Sequence, residues 1–107
     1  MKSLLRHLLL SLSLFAAAPA QAELPLVATL HPILTEMVQR LAGDHVRVEE
    51  LMGPNVNPHG FDPTPRDLAR IQSASLVVAM GKNLEVYLDR LAASLPPGTP
   101  IFEAGAR

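Results

Sequence analysis

Of the four histidines in this 107-residue chain, His59 stands where the backbone around it is stiff. It lies between Pro58 and Gly60 in a loop from Gly53 to Asp67 that also holds Pro54, Pro63 and Pro65, so the loop carries four of the chain's ten prolines. Proline fixes its own φ and biases the preceding residue to extended backbone, which leaves such a loop little entropy to lose when it presents a side chain. An imidazole presented in this way reads either as a loop histidine that packs or hydrogen-bonds locally or as a ligand for a transition metal. One imidazole does not complete a site, because zinc takes about four N, O or S ligands in a tetrahedron. Cysteine is absent, so no thiolate of this chain can add to the sphere.

Two further residues are weaker candidates for the same chemistry. His31 precedes Pro32 at the end of an apolar run and reads first as the residue capping a helix, second as a ligand. Asp62, three residues after His59, reads first as an acid making a turn before Pro63. Its second reading is an acceptor for the far nitrogen of the His59 ring, fixing that ring's orientation. Glu85 and Asp89 fall four apart, as a carboxylate pair on a helix would, but with Lys82 and Arg90 close by the expected reading is a solvated charged face. His45 is expected at the surface, and His7 falls in the N-terminal segment. Phe61 is expected to anchor the loop by packing, and Tyr87 to sit in a helix stripe with its hydroxyl at the surface.

These residues need elements to position them. Leu26 to Leu30 is a continuous apolar run that reads as a buried strand. Pro32 suits the first turn of a helix whose apolar positions are Ile33, Leu34, Met37, Val38 and Leu41, ended by Gly43. Val46 to Glu49 alternates as an edge strand does. The loop then closes in Thr64-Pro65-Arg66-Asp67, a capping box with Asp in place of the usual Glu, opening a short helix with Leu68 and Ile71 inward. Leu76 to Met80 is a second apolar strand. Gly81-Lys82-Asn83 turns into a helix striped by Leu84, Tyr87, Leu88, Leu91 and Leu95, and Pro100-Ile101-Phe102 opens a fourth strand. Strands alternating with helices predict an α/β fold, a parallel sheet with flanking helices, whose ligands bind beyond the carboxyl ends of the strands. His31 and His59 both fall at that edge.

The N-terminus is different in kind. Lys2 and Arg6 precede an uncharged apolar run from Leu8 to Ala18, followed by Ala20-Gln21-Ala22. That is the pattern of a signal peptide over residues 1–22, cleaved after Ala22; the run is about half the roughly 20 residues a membrane span needs. Residues 23–107 then hold seven basic and ten acidic side chains, a balance that argues against nucleic acid as a partner. Without cysteine there is no lipid-anchoring residue at the new N-terminus, and the expected product is periplasmic.

The segment from Asn57 to Leu68, with Ala74 to Val78 and Gly81 to Leu91, resembles the zinc- and manganese-binding solute-binding proteins of metal-uptake ABC transporters. Leu26 to Leu34 resembles their first strand and helix. The resemblance implies that His59 is the first metal ligand, and that the others come from later in a chain about two to three times this length, folded as two lobes. Residues 23–107 would then be a partial N-terminal metal-binding lobe of a two-lobed protein, monomeric when full length. It would capture Zn2+, or alternatively Mn2+, for an ABC permease and turn nothing over. Two other readings fit the residues alone: a metal-dependent α/β hydrolase with His59 and His31 as ligands and Asp62 as base, and an exported adhesin or binding module. A four-stranded sheet cut from a larger lobe is expected to expose apolar faces and edges.

Overall fold

The computed structural model describes residues 23–105; the segment expected to be a signal peptide, 1–22, and its cleavage site lie outside the described residues. Among the described residues four strands and three helices follow one another in the anticipated order. They are β1 (Leu26–Thr29), α1 (Pro32–Ala42), β2 (Arg47–Glu50), α2 (Pro65–Arg70), β3 (Leu76–Ala79), α3 (Leu88–Ser94) and β4 (Ile101–Glu103). A 3-10 turn, Gly43–His45, joins α1 to β2. All pairings are parallel, in the order β2-β1-β3-β4. Every residue of β1 is buried, as a central parallel strand covered on both faces must be, whereas β2 at the edge is half-exposed.

The alternation of side chains across the sheet divides the core in two. Ala28, Leu30, Val77 and Ala79 face Ile71, Leu91 and Leu95 from the second and third connections. On the opposite face Val27 and Val78 meet Leu34, with Val38 packed alongside. Of the apolar positions on α1 only Leu34 is fully buried; Ile33, Met37 and Leu41 are exposed, contrary to a fully buried stripe. Periodicity marks the apolar face of a helix but does not supply the layer that covers it.

The capping box forms as its spelling requires. Asp67 N–H donates to Thr64 Oγ1 at 3.2 Å, and Thr64 N–H donates to Asp67 Oδ2 at 2.9 Å. Arg70, at the other end of α2, donates through Nε to Glu49 Oε1 at 2.6 Å and through Nη2 to the Glu50 carbonyl at 2.8 Å. The long loop is thus tied to the sheet at both ends: β2 and α2 are clipped together at its base.

These bonds carry a pH dependence. The backbone hydrogen bond from Thr64, then its hydroxyl, hold the Asp67 carboxyl below the ordinary aspartate value. A carboxyl with a depressed folded-state pKa stabilises above its unfolded pKa, and that contribution is lost as pH falls through the folded value. Thr64→Ala is expected to cost about 1 kcal/mol at neutral pH, and Asp67→Asn to flatten the acid limb of stability below pH 4–5, read by urea unfolding across pH.

Candidate metal centre

The loop that carries His59 is a turn built by its own side chains. Gly60 N–H donates to the Asn57 carbonyl at 3.1 Å, and His59 N–H donates to Asn57 Oδ1 at 3.0 Å. Asn57-Pro58-His59-Gly60 is therefore a β-turn with Asn at its first position and Pro at its second, the placement both residues favour, reinforced by an Asx bond. His59 occupies the third position with its side chain exposed.

Behind it the loop is anchored by packing. Phe61 lies edge-to-face on Tyr87, ring centroids 5.5 Å apart at 76°, and Asp62 pairs with Arg90. Phe61 thus has the anchoring role expected of it. A cleft of about 430 Å³ results, walled by His59, Phe61, Asp62, Tyr87 and Arg90. It lies where the connections after β2 and β3 meet, beyond the carboxyl ends of those strands.

The weaker candidates are occupied elsewhere. His31 sits at the N-cap of α1 but makes no side-chain cap bond; its Nε2 reaches Glu85 Oε1 at 2.7 Å, with both residues buried. The capping role is corrected accordingly. Asp62 is engaged with Arg90, and His31 does not line the His59 cleft. Among the described residues no three His, Cys, Asp or Glu side chains come together as a metal would require, so the hydrolase triad of His59, His31 and Asp62 is not assembled.

Glu85 overturns the expectation of a solvated charged face. It is 4 % exposed, and besides His31 its carboxylate accepts Met80 N–H at 2.6 Å and Gly81 N–H at 2.9 Å. As a carboxylate it can only accept, so His31 Nε2 carries the shared hydrogen. The reason lies in the turn before it. Gly81, Lys82 and Asn83 all have positive φ, and α3 begins only at Leu88, so Glu85 and Asp89 are not a helical i,i+4 pair. The left-handed turn curls the chain until Glu85 lies under the two N–H groups at the end of β3. A signal was present in the sequence: one acid standing inside Leu84-Glu85-Val86-Tyr87-Leu88, just after a glycine turn.

Tyr87 departs from expectation too. It is 3 % exposed, and its hydroxyl has no hydrogen-bond partner among the described residues. Burial, and next the charge of Glu85, push its pKa well above the ordinary tyrosine value. Removing an unpartnered buried hydroxyl relieves its desolvation cost. Tyr87→Phe is therefore expected to leave stability unchanged or raise it by up to about 1 kcal/mol in urea unfolding; a loss above roughly 2 kcal/mol would mean that the hydroxyl has a partner.

Against known proteins, the family model described as "ZnuA: Zinc-uptake complex component A periplasmic" matches residues 27–107. The chain belongs to this family. The high-affinity zinc uptake system protein ZnuA of Paracoccus denitrificans (strain Pd 1222) is 38 % identical over 80 residues, 75 % of this chain and 24 % of that protein. The iron-binding protein YfeA of Yersinia pestis is 36 % identical over 69 residues, 64 % of this chain and 22 % of that one. A crystal structure of ZnuA superposes with a TM-score of 0.71 at 25 % identity, covering 79 % of this chain and 34 % of the other. The chain therefore spans about a quarter of the length of these curated relatives. The α/β architecture expected from the alternation of elements is that of the ZnuA family's solved structures, whose members are periplasmic or extracytoplasmic components of metal uptake.

Proposed function

We propose that residues 23–107 form part of the N-terminal lobe of a periplasmic solute-binding protein that captures a divalent transition metal and passes it to the permease of an ABC transporter. His59 is one ligand of the captured ion, and residues 1–22 direct export and are removed after Ala22. The observation that carries this reading is the exposed imidazole on a turn pinned by Asn57 and backed by Phe61 on Tyr87. A ligand held that way loses little freedom when the ion arrives, which favours binding without any residue arranged for turnover. The protein works by capture alone, as a monomer when full length.

Zinc is the first cargo and manganese the second. Imidazole suits zinc, whereas manganese prefers carboxylate, carbonyl and water, and Asp62, the acid nearest His59 along the chain, is paired with Arg90. The names of the relatives include both zinc and iron, so membership of the family leaves the metal open. Equilibrium dialysis of the full-length protein, with and without His59→Ala, against equal zinc and manganese, read by elemental analysis, tests the reading. Zinc is expected to be retained in preference to manganese; retention of neither, or of manganese alone, would refute it.

A further inference from the structure

The cleft that presents His59 is walled by one imidazole and two carboxylates, those of Asp62 and Asp89. Asp62 follows His59 by three residues, so at most about 10 Å of backbone separates them. Its carboxylate is turned to Arg90, 28 residues away along the chain. Each partner of that pair is held by its neighbour. Phe61, next to Asp62, packs edge-to-face on Tyr87. Arg90 precedes Leu91, which is 1 % exposed and fixes α3 in the core. The pair thus joins two anchored segments and has little backbone freedom to lose.

The two kinds of donor favour different ions. Imidazole suits zinc, and carboxylate oxygen suits manganese. Preference between the two ions therefore depends on how many carboxylates the ion can recruit. We propose that Arg90 is a specificity-determining residue: by holding the Asp62 carboxylate it withholds an oxygen donor from the ion at His59 and keeps the site selective for zinc over manganese. The inference rests on the reading of His59 as a ligand of the captured ion, and it adds a residue that is not itself a ligand yet sets which metal is kept.

The size of the effect follows from the setting of the pair. Both side chains are 67 % exposed, and an exposed ion pair favours its closed form by up to about fivefold. An ion must overcome that preference to recruit Asp62. The handicap falls on manganese, which gains more from the carboxylate than zinc does. The charge of Arg90 acts differently: it repels both divalent ions alike and leaves their ratio unchanged. The bound ratio of the two metals therefore reports the withheld carboxylate and not the nearby cation.

Equilibrium dialysis of the full-length protein against equal zinc and manganese, read by elemental analysis, gives the bound manganese-to-zinc ratio for wild type, Arg90→Met, Asp62→Asn and the double variant. Both substitutions fall on exposed side chains, and circular dichroism checks that each variant keeps its fold. Arg90→Met is expected to raise the ratio by about two- to fivefold. Asp62→Asn is expected to leave it within about 1.5-fold of wild type, and the double variant to return to that range, since no Asp62 carboxylate is then released. In about 1 M salt, where the Debye length is about 3 Å, the gap between wild type and Arg90→Met should narrow. An unchanged ratio in Arg90→Met overturns the proposal, as does a gap that salt does not narrow. A rise that survives in the double variant overturns the role of Asp62 and passes it to Asp89. Loss of both metals by roughly tenfold or more in Asp62→Asn also overturns it, because Asp62 would then be a ligand with Arg90 in place. Failure of the underlying reading looks different. Wild type that retains neither metal, or His59→Ala that binds as wild type does, would sink both; zinc lost on His59→Ala with an unchanged ratio in Arg90→Met would sink the role of Arg90 alone.

Discussion

Replacing Glu85 with alanine is expected to destabilise the fold by about 3–5 kcal/mol, the scale on which removing one partner of a buried hydrogen-bonded pair acts. The size follows from what the carboxylate leaves behind. His31 Nε2 and the N–H groups of Met80 and Gly81 all donate to it within 2.6–2.9 Å, and His31 and Gly81 are buried while Met80 is half-buried. Each buried donor left unsatisfied costs about 1–3 kcal/mol. A domain of this size has a total stability of about 5–10 kcal/mol, so the variant should melt at least 12 °C lower or lose its cooperative transition.

The pair should be asymmetric. His31→Ala removes one donor and leaves the carboxylate its two backbone partners, so it is expected to cost roughly half as much as Glu85→Ala, and the double variant little more than Glu85→Ala alone. Urea unfolding of the three variants measures this. Had Glu85 been the solvated residue that its charged neighbours suggested, alanine would shift stability by no more than about 0.5 kcal/mol. A change that small would show that the cluster joining the carboxyl ends of β1 and β3 is not buried.

The second large effect falls on the cargo and spares the fold. His59→Ala removes an exposed side chain whose local hydrogen bond is made by its backbone N–H, so the turn from Asn57 to Gly60 stays in place and stability should change by less than about 0.5 kcal/mol. Metal affinity should collapse. Loss even of a group that only orients a ligand lowers metal affinity about 10–100-fold, and loss of a ligand is expected to exceed that. His31→Ala and His45→Ala should lower zinc affinity by less than about twofold, since loss on that scale belongs to ligands and the groups orienting them. Zinc competition with a chromophoric chelator, in the full-length protein, separates the variants. A tenfold loss in His31→Ala with none in His59→Ala would reverse the assignment.

What was legible in the sequence is local or periodic. Runs such as Leu26 to Leu30 and Leu76 to Met80 announce buried parallel strands because both faces of the strand must be apolar. The capping box at Thr64 and the turn around His59 are written in residues two or three apart, within reach of short-range rules. The illegible parts depend on groups distant along the chain. His31 and Glu85 are 54 residues apart, and nothing near either one names the other. The burial of Tyr87 follows from the same displaced turn: three left-handed residues put off the helix start to Leu88, so Leu84 and Tyr87 precede the helix whose stripe their spacing suggests. Met37 and Leu41 share the apolar face of α1 with Leu34 and Val38, but sequence periodicity carries no information about whether a neighbour lies over that face.

The presentation of His59 to the metal is most directly tested by long-range 1H–15N NMR of the histidine rings of the 107-residue chain during a zinc titration. The ring signals of His59 are expected to shift first and farthest, one nitrogen moving toward a metal-bound value, while those of His31, with its Nε2 on Glu85, stay fixed. Movement of the His31 ring ahead of His59, or a His59 ring that does not respond to zinc, would contradict it.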